Sequence, residues 1–248
     1  SCTDPNPLVS GRGLSRISNA GIKVSTGLLE KEGKWRNRRF FTYVTAQRPY
    51  LILKWAQSAD GFMGIEFQNR SISGEFSQKM SHKWRTEEAA ILVGSGTAAC
   101  DNPQLNNRLW PGEPPIRIVT DRYLKLPESL NIFDGSQKTI CYNTLKSENR
   151  GFLSYVKLEA SNFIPDLLKD LAQRNISSLL VEGGSALLHY FLEEGWWDEL
   201  RIFTSNELLL SSGIKAPAPS GILKESFETG SDTLRIYVNS LNPFVNAQ

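Results

Sequence analysis

The sequence predicts an α/β fold: a mostly parallel central sheet with helices on both faces and an antiparallel pair at its C-terminal end. Three observations carry this expectation. From residue 50 onward, short apolar runs alternate with segments of helical periodicity, the pattern of strand–helix–strand units. Three of those runs stop at Gly94, Asp121 and Glu182, which would line one edge of a parallel sheet, where such folds bind ligands. The last run, residues 234–238, alternates like a half-exposed antiparallel strand.

Residues 1–13 are rich in turn formers. Residues 15–24 read as a short helix and then a strand, with Gly21 between them. Over residues 28–44 apolar or aromatic side chains recur at Leu28, Leu29, Trp35, Phe40, Phe41 and Val44, predicting one helix with a buried face and a solvated face of arginines. After a linker at 45–49 the pattern changes. Residues 50–58 (YLILKWAQS) form an apolar strand interrupted by Lys54, and a lysine in such a strand either escapes at an edge or is kept for a reason. Asp60-Gly61 is a turn.

A helix capped around Ser73 to Glu75 comes next, with Phe76, Met80 and Trp84 at core spacing and Arg85 at its end. His82 lies on the same stretch, but the other histidine, His189, is distant, so no metal site is expected. Residues 89–93 are a strand leading into Gly94-Ser95-Gly96-Thr97, a turn where backbone can meet a ligand. Asp101-Asn102-Pro103 are turn residues, with Leu105 and Arg108 just beyond. Strands are expected at 116–120, ending in Asp121-Arg122, and at 139–142, and an amphipathic helix at 163–174. The organising stretch is residues 179–188 (LLVEGGSALL), a buried strand, a glycine turn and a helix start. The free amides of such a helix accept a phosphate, and Glu182 would stand beside its owner. Its helix runs to about 194. A strand at 199–204 and a Pro/Gly/Ser loop at 211–221 lead to the final alternating strand at 234–238.

Composition narrows the function. In 248 residues, 28 Lys+Arg face 26 Asp+Glu. That balance gives no reason to expect a nucleic-acid or membrane-surface partner. No apolar run approaches bilayer length. Cys2, Cys100 and Cys141 form neither a disulfide framework nor a Cys-x-x-Cys pair, so zinc is not expected, and a reducing cytoplasm is the expected compartment.

The order RPYLILKWAQSADG, AAILVGSGTAACDNPQLNNR, PIRIVTD, LLVEGGSALL resembles the reductase domain of the bifunctional riboflavin-biosynthesis deaminase–reductase family, from about residue 48 onward. DPNPLVSGRG, GIKVSTG and NRRFF resemble the end of that family's deaminase domain. The expected division is therefore 1–47, a deaminase remnant with linker, and 48–248, the reductase domain. The deaminase zinc motif would precede residue 1, so the expectation is a fragment that does not deaminate.

The resemblance implies a dihydrofolate-reductase-like fold and NADPH-dependent reduction of the ribosyl group of 5-amino-6-(5-phosphoribosylamino)uracil to a ribityl chain, in a homodimer. It implies that Arg85 and Arg108 hold the substrate phosphate, because two guanidiniums bind it bidentately and never lose their charge. Leu105 and Asn69 would contact the substrate, and Glu182 would read the pyrimidine edge. Lys54 and Asp101 would be the catalytic pair near the ribose, by proton transfer or by positioning. Cofactor positions would be Ala56, Ser71, Thr97, Asp101 and the turn Gly184, Ser185, Ala186 and Leu187. Arg122 is expected at the adenosine end, favouring NADPH by pairing its extra phosphate.

One stretch departs from the family pattern. Where relatives carry Ser-x-Trp-Ile-Thr, this chain has Asn69-Arg70-Ser71-Ile72-Ser73, and Ser71 offers no aromatic wall. Either the loop closes differently, or packing for a nicotinamide comes from Trp55 or Trp84. Two alternatives stand beside the reductase reading: a reductase of the same fold acting on a pterin-like ring, and a non-catalytic nucleotide-binding remnant.

Overall fold

The computed structural model describes residues 2–6, 9–65 and 71–244. Three short helices open the chain: α1 (Arg12–Asn19), α2 (Glu30–Arg36) and α3 (Arg38–Ala46). The single helix expected over 28–44 is broken at Asn37. Its side-chain amide donates to the Gly33 carbonyl (2.8 Å) and so satisfies an acceptor at the end of α2. α1 buries no residue. Residues 22–24 are not a strand, which corrects that expectation.

β1 (Tyr50–Gln57) turns through Asp60-Gly61 into β2 (Phe62–Gly64). Next in the chain are α4 (Glu75–Glu87), β3 (Ala90–Gly94), α5 (Ser95–Asp101), β4 (Ile116–Thr120) and β5 (Thr139–Asn143). Two strands that the sequence did not predict, β6 (Glu148–Arg150) and β7 (Leu153–Lys157), precede α6 (Phe163–Gln173), β8 (Ser178–Val181) and α7 (Ser185–Glu193). The chain ends on β9 (Glu199–Ser205), β10 (Ile214–Lys215), β11 (Ile222–Thr229) and β12 (Asp232–Val238).

Ten strands form one sheet in the order β11-β12-β9-β1-β8-β3-β4-β5-β7-β6, and β10 pairs with β2. From β9 across to β7 every neighbour is parallel. β12 on β9, the β11–β12 hairpin and β6 on β7 are antiparallel. The central strands are apolar throughout because both faces are covered. On one face Leu51, Leu53, Trp55, Leu179 and Val181 pack with Leu167 and Leu171 of α6 and Leu188 of α7. On the other, Tyr50, Ile52, Ile91, Val93 and Leu180 pack with Trp84 of α4 and Ala98 of α5.

Two further expectations are corrected. Phe76 is not core: it is 64% exposed and lies across the β11–β12 turn, where a Cβ on Gly230 would meet its ring at 2.8 Å. Nor do all arginines of 28–44 face solvent. Arg38 pairs with Glu199 at 3.0 Å, and Arg39 grips Glu88 with two nitrogens. Both carboxylates are buried.

Candidate active site

Strand alternation puts Lys54 on the α4 side of the sheet, with Tyr50 and Ile52. The parallel register pairs Leu53 with Val181, so Lys54 comes level with Glu182, the first residue beyond β8. Lys54 Nζ stands 3.9 Å from Glu182 Oε2. From α4 above, Arg85 closes a fork on the same carboxylate, Nε to Oε1 at 2.9 Å and Nη2 to Oε2 at 2.7 Å. Its third nitrogen, Nη1, donates to the Asn106 carbonyl at 2.8 Å.

This triad is nearly dry: the side chains of Lys54 and Arg85 are each 13% exposed and that of Glu182 is 8% exposed. Burial alone would raise the Glu182 carboxyl, but Arg85 and Lys54 outweigh it and hold it at about 2. Burial pulls the Lys54 ammonium down, partly offset by Glu182, and Arg85 adds to the depression. Lys54 therefore gives up a proton more readily than a surface lysine.

Lys54 and Arg85 of this triad line a polar pocket of about 210 Å³ together with His82, Leu105 and Arg108, while Glu182 is not among its lining residues. Arg108 is exposed at the mouth, its guanidinium 3.1 Å from Asn106 Oδ1. Leu105 is buried with φ 50, a left-handed conformation rarely seen in a leucine. Gln78 and Ser81 of α4 also line this pocket and went unrecognised in the sequence. The signal was there: Gln78, Ser81, His82 and Arg85 fall on one helical stripe. A hollow of about 440 Å³ opens among Ile116, Thr139, Ile140 and Ile176, at the opposite edge of the sheet from this triad.

Beside the pocket two strand–helix turns lie against each other. A Cβ on Gly183 would stand 2.7 Å from Val93 Cα and 2.9 Å from Gly94 N, so glycine alone lets the β8–α7 turn approach β3. Gly184, at φ 38, caps α7 without a side-chain hydrogen bond and lies close to Thr97 Oγ1. The first helical bond of α7 runs from Leu188 N to Gly184 O at 3.1 Å, which leaves the amides of Ser185, Ala186 and Leu187 directed outward. The Ser185 hydroxyl is engaged with His189 and the Lys215 carbonyl, so its backbone amide is the group it can offer. A tight glycine cradle with outward amides fits the pyrophosphate of a dinucleotide.

The other expected residues lie around this centre. Ala56 is half-buried on β1 beyond Lys54. Asp101 ends α5, exposed, with partial burial raising its carboxyl pKa; it is not among the residues lining the pocket. Arg122, just past β4, lies over the Phe163 ring at 4.6 Å and within electrostatic reach of Tyr190 on α7. The Ser71 hydroxyl donates to the Ser73 carbonyl and accepts from Gln78. Asn69 lies outside the described residues. Trp55 is 2% and Trp84 6% exposed, and Trp84 is stacked on Phe203 at 5.2 Å. Both are core side chains, so neither supplies the aromatic wall for which they were candidates.

Comparison with known proteins agrees with this architecture. The family model described as the RibD C-terminal domain matches residues 49–209. The riboflavin biosynthesis protein RibD of Aquifex aeolicus is 36% identical over 83% of this chain and 60% of its own length. That of Bacillus amyloliquefaciens is 33% identical over 92% of this chain and 64% of its own. The chain thus spans about three fifths of these relatives. Among solved structures, the deaminase/5-amino-6-(5-phosphoribosylamino)uracil reductase of Thermotoga maritima superposes with a TM-score of 0.85 at 30% identity, covering 96% of this chain and 70% of that one. The fold is dihydrofolate-reductase-like, and the chain belongs to the RibD C-terminal domain family.

Proposed function

We propose that the chain is an NADPH-dependent reductase that converts the ribosyl group of 5-amino-6-(5-phosphoribosylamino)uracil into a ribityl chain, working in the cytoplasm as a homodimer. The observation that carries this reading is the buried Lys54–Glu182–Arg85 triad, with Arg108 at its mouth and the glycine cradle of α7 beside it.

Glu182, ionised at every physiological pH, accepts hydrogen bonds from the N–H and amino groups of a pyrimidine edge. Arg85 holds its two oxygens in one orientation, and its Nη1 bond to Asn106 is the one a phosphate oxygen would replace. Arg108 meets the phosphate at the entrance. When bound, the nicotinamide cofactor would supply the hydride for reduction of the sugar carbon of the opened substrate. Lys54 delivers a proton to the heteroatom on which the displaced electron pair collects, and its depressed pKa suits that donation. The amides of Ser185, Ala186 and Leu187 would hold the cofactor's pyrophosphate, with Thr97, Ala56, Ser71 and Asp101 as further cofactor-binding positions. Arg122 pairs the extra phosphate of NADPH.

The test is NADPH oxidation monitored by absorbance with freshly made substrate. Turnover is expected in the wild type. Glu182→Gln and Arg108→Ala should each lower kcat/KM by about 100-fold, the ~2–3 kcal/mol of a charge-assisted hydrogen bond. Arg122→Ala should lose the preference for NADPH over NADH without losing turnover. NADPH binding without turnover would overturn the substrate assignment, and an unchanged nucleotide preference would overturn the role of Arg122.

A further inference from the structure

α4 turns a polar stripe into the pocket, and one member of it has no employment in the reaction above. His82 is 5% exposed, and its Nδ1 is buried with no hydrogen-bond partner. An unpaired buried polar atom costs about 1–3 kcal/mol, so its retention here needs a reason. The charged groups facing it are Arg85 of its own helix, Arg108 of the loop after α5, Lys54 of β1 and Glu182 beyond β8. Three cations against one carboxylate leave two uncompensated positive charges around one imidazole, the complement of a phosphate dianion. Glu182 cannot balance His82 as well, because Arg85 and Lys54 already hold it. In these surroundings the ring is neutral: burial first, then Arg85 and Arg108, push His82 down to about 4. A dianion between the two arginines cancels the two uncompensated positive charges around the ring and so favours the imidazolium, which then donates to phosphate oxygen.

We propose that His82 is a third phosphate-contacting group of this pocket, neutral in the absence of ligand and protonated when the phosphate of a phosphorylated ligand sits between Arg85 and Arg108. The proposal rests on the substrate reading above. It makes phosphate binding a proton-uptake event: one proton enters with the ligand, and affinity falls as pH rises through the His82 pKa of the complex.

The chain has two histidines, His82 and His189, so proton NMR of the imidazole signals on the full chain reads the proposal directly, with His189→Gln giving the assignment. Ribose 5-phosphate is the probe and ribose the uncharged control. Without ligand, the His82 signals should stay fixed from about pH 8 to 5; with saturating ribose 5-phosphate they should titrate with a midpoint near the ordinary histidine range, about 6.5. Calorimetry in buffers of different ionisation enthalpy should show proton uptake that His82→Gln abolishes, with roughly 10-fold weaker binding. Binding of ribose 5-phosphate that needs Arg108 but leaves the His82 titration unmoved would overturn the role of His82 alone. Failure to bind ribose 5-phosphate at all would overturn the phosphate pocket, and the substrate reading with it.

Discussion

At Gly183 the site depends on a missing side chain. A methyl there would press on Val93 Cα and Gly94 N at 2.7 and 2.9 Å, and both are backbone atoms that cannot rotate away. The β8–α7 turn would have to lift from β3, opening the cradle where the two turns meet. Gly183→Ala is expected to cost about 2–3 kcal/mol, the upper part of the usual overpacking range, and to weaken NADPH binding. Gly13→Ala, on α1 away from both turns and with nothing within 4 Å of the added methyl, is the matched control. Urea unfolding and nucleotide titration measure both effects; a Gly183→Ala midpoint equal to wild type would refute the packing argument. At this scale much of the site was legible before the structure. Lys54 and Glu182 are charges set into or just after apolar runs, and burying a charge demands a partner. Their partnership was not legible, because Lys54 meets Glu182 only through the register of β1 on β8, and Arg85, 97 residues from Glu182 in the chain, reaches it only from α4. Gln78 and Ser81 were missed because polar residues on a helix ordinarily face water.

Among the elements, α3 shows how misleading that rule can be. Its arginines read as a solvated face, yet Arg38 reaches Glu199, which also accepts from Tyr50 Oη at 3.0 Å and Arg201 Nε at 2.7 Å. Burial would raise the Glu199 carboxyl, but Arg201, Arg38 and Arg39 hold it at about 2. A depressed carboxyl stabilises the fold fully above its unfolded pKa of about 4.3 and loses that contribution as pH falls toward the folded value. The window of acid loss is therefore roughly pH 4.5 down to 2, and the amount is of the order of 3 kcal/mol. Urea midpoints at pH 7 and pH 3 should differ markedly in the wild type. Glu199→Gln should lower the midpoint at pH 7 and flatten this acid dependence; an equally steep loss in the variant would exclude Glu199 as its source. The central strands were readable because burial on both faces makes them continuous apolar runs. β11 was not, since it is an edge strand with Ile222, Leu223 and Phe227 exposed, and β6 carries only Glu148, Asn149 and Arg150.

For the whole molecule the question is where the folding unit that contains the family match begins. The family match starts at residue 49 and the resemblance in the sequence suggests a division after residue 47, but the physical contacts do not respect that line. α3 lies before it and is tied to elements on its far side: Phe41 is 4% exposed against Phe244, Tyr43 donates to the Ala172 carbonyl, and Arg38 and Arg39 neutralise Glu199 and Glu88. α1, by contrast, buries nothing. A chain starting at residue 28 should therefore unfold like the full chain, whereas one starting at residue 48 loses a buried phenylalanine, worth about 3–5 kcal/mol, and strands Glu88. Arg201 stays with Glu199 at 2.7 Å but reaches Glu88 at only 3.6 Å, so Glu88 is the carboxylate left poorly paired. Breaking a buried pair by removing one partner costs about 3–5 kcal/mol, and the two losses together approach the whole stability of an ordinary domain. The 48–248 chain should be insoluble or barely folded. Glu88→Gln in that shortened chain should recover part of the loss, because a neutral amide needs no counter-charge, and this rescue separates charge from packing. A 48–248 chain with the midpoint of the full protein would place the boundary after α3 after all and make its arginines ornaments of the surface; rescue by Glu88→Gln would make α3 the first structural element of the folding unit that contains the family match.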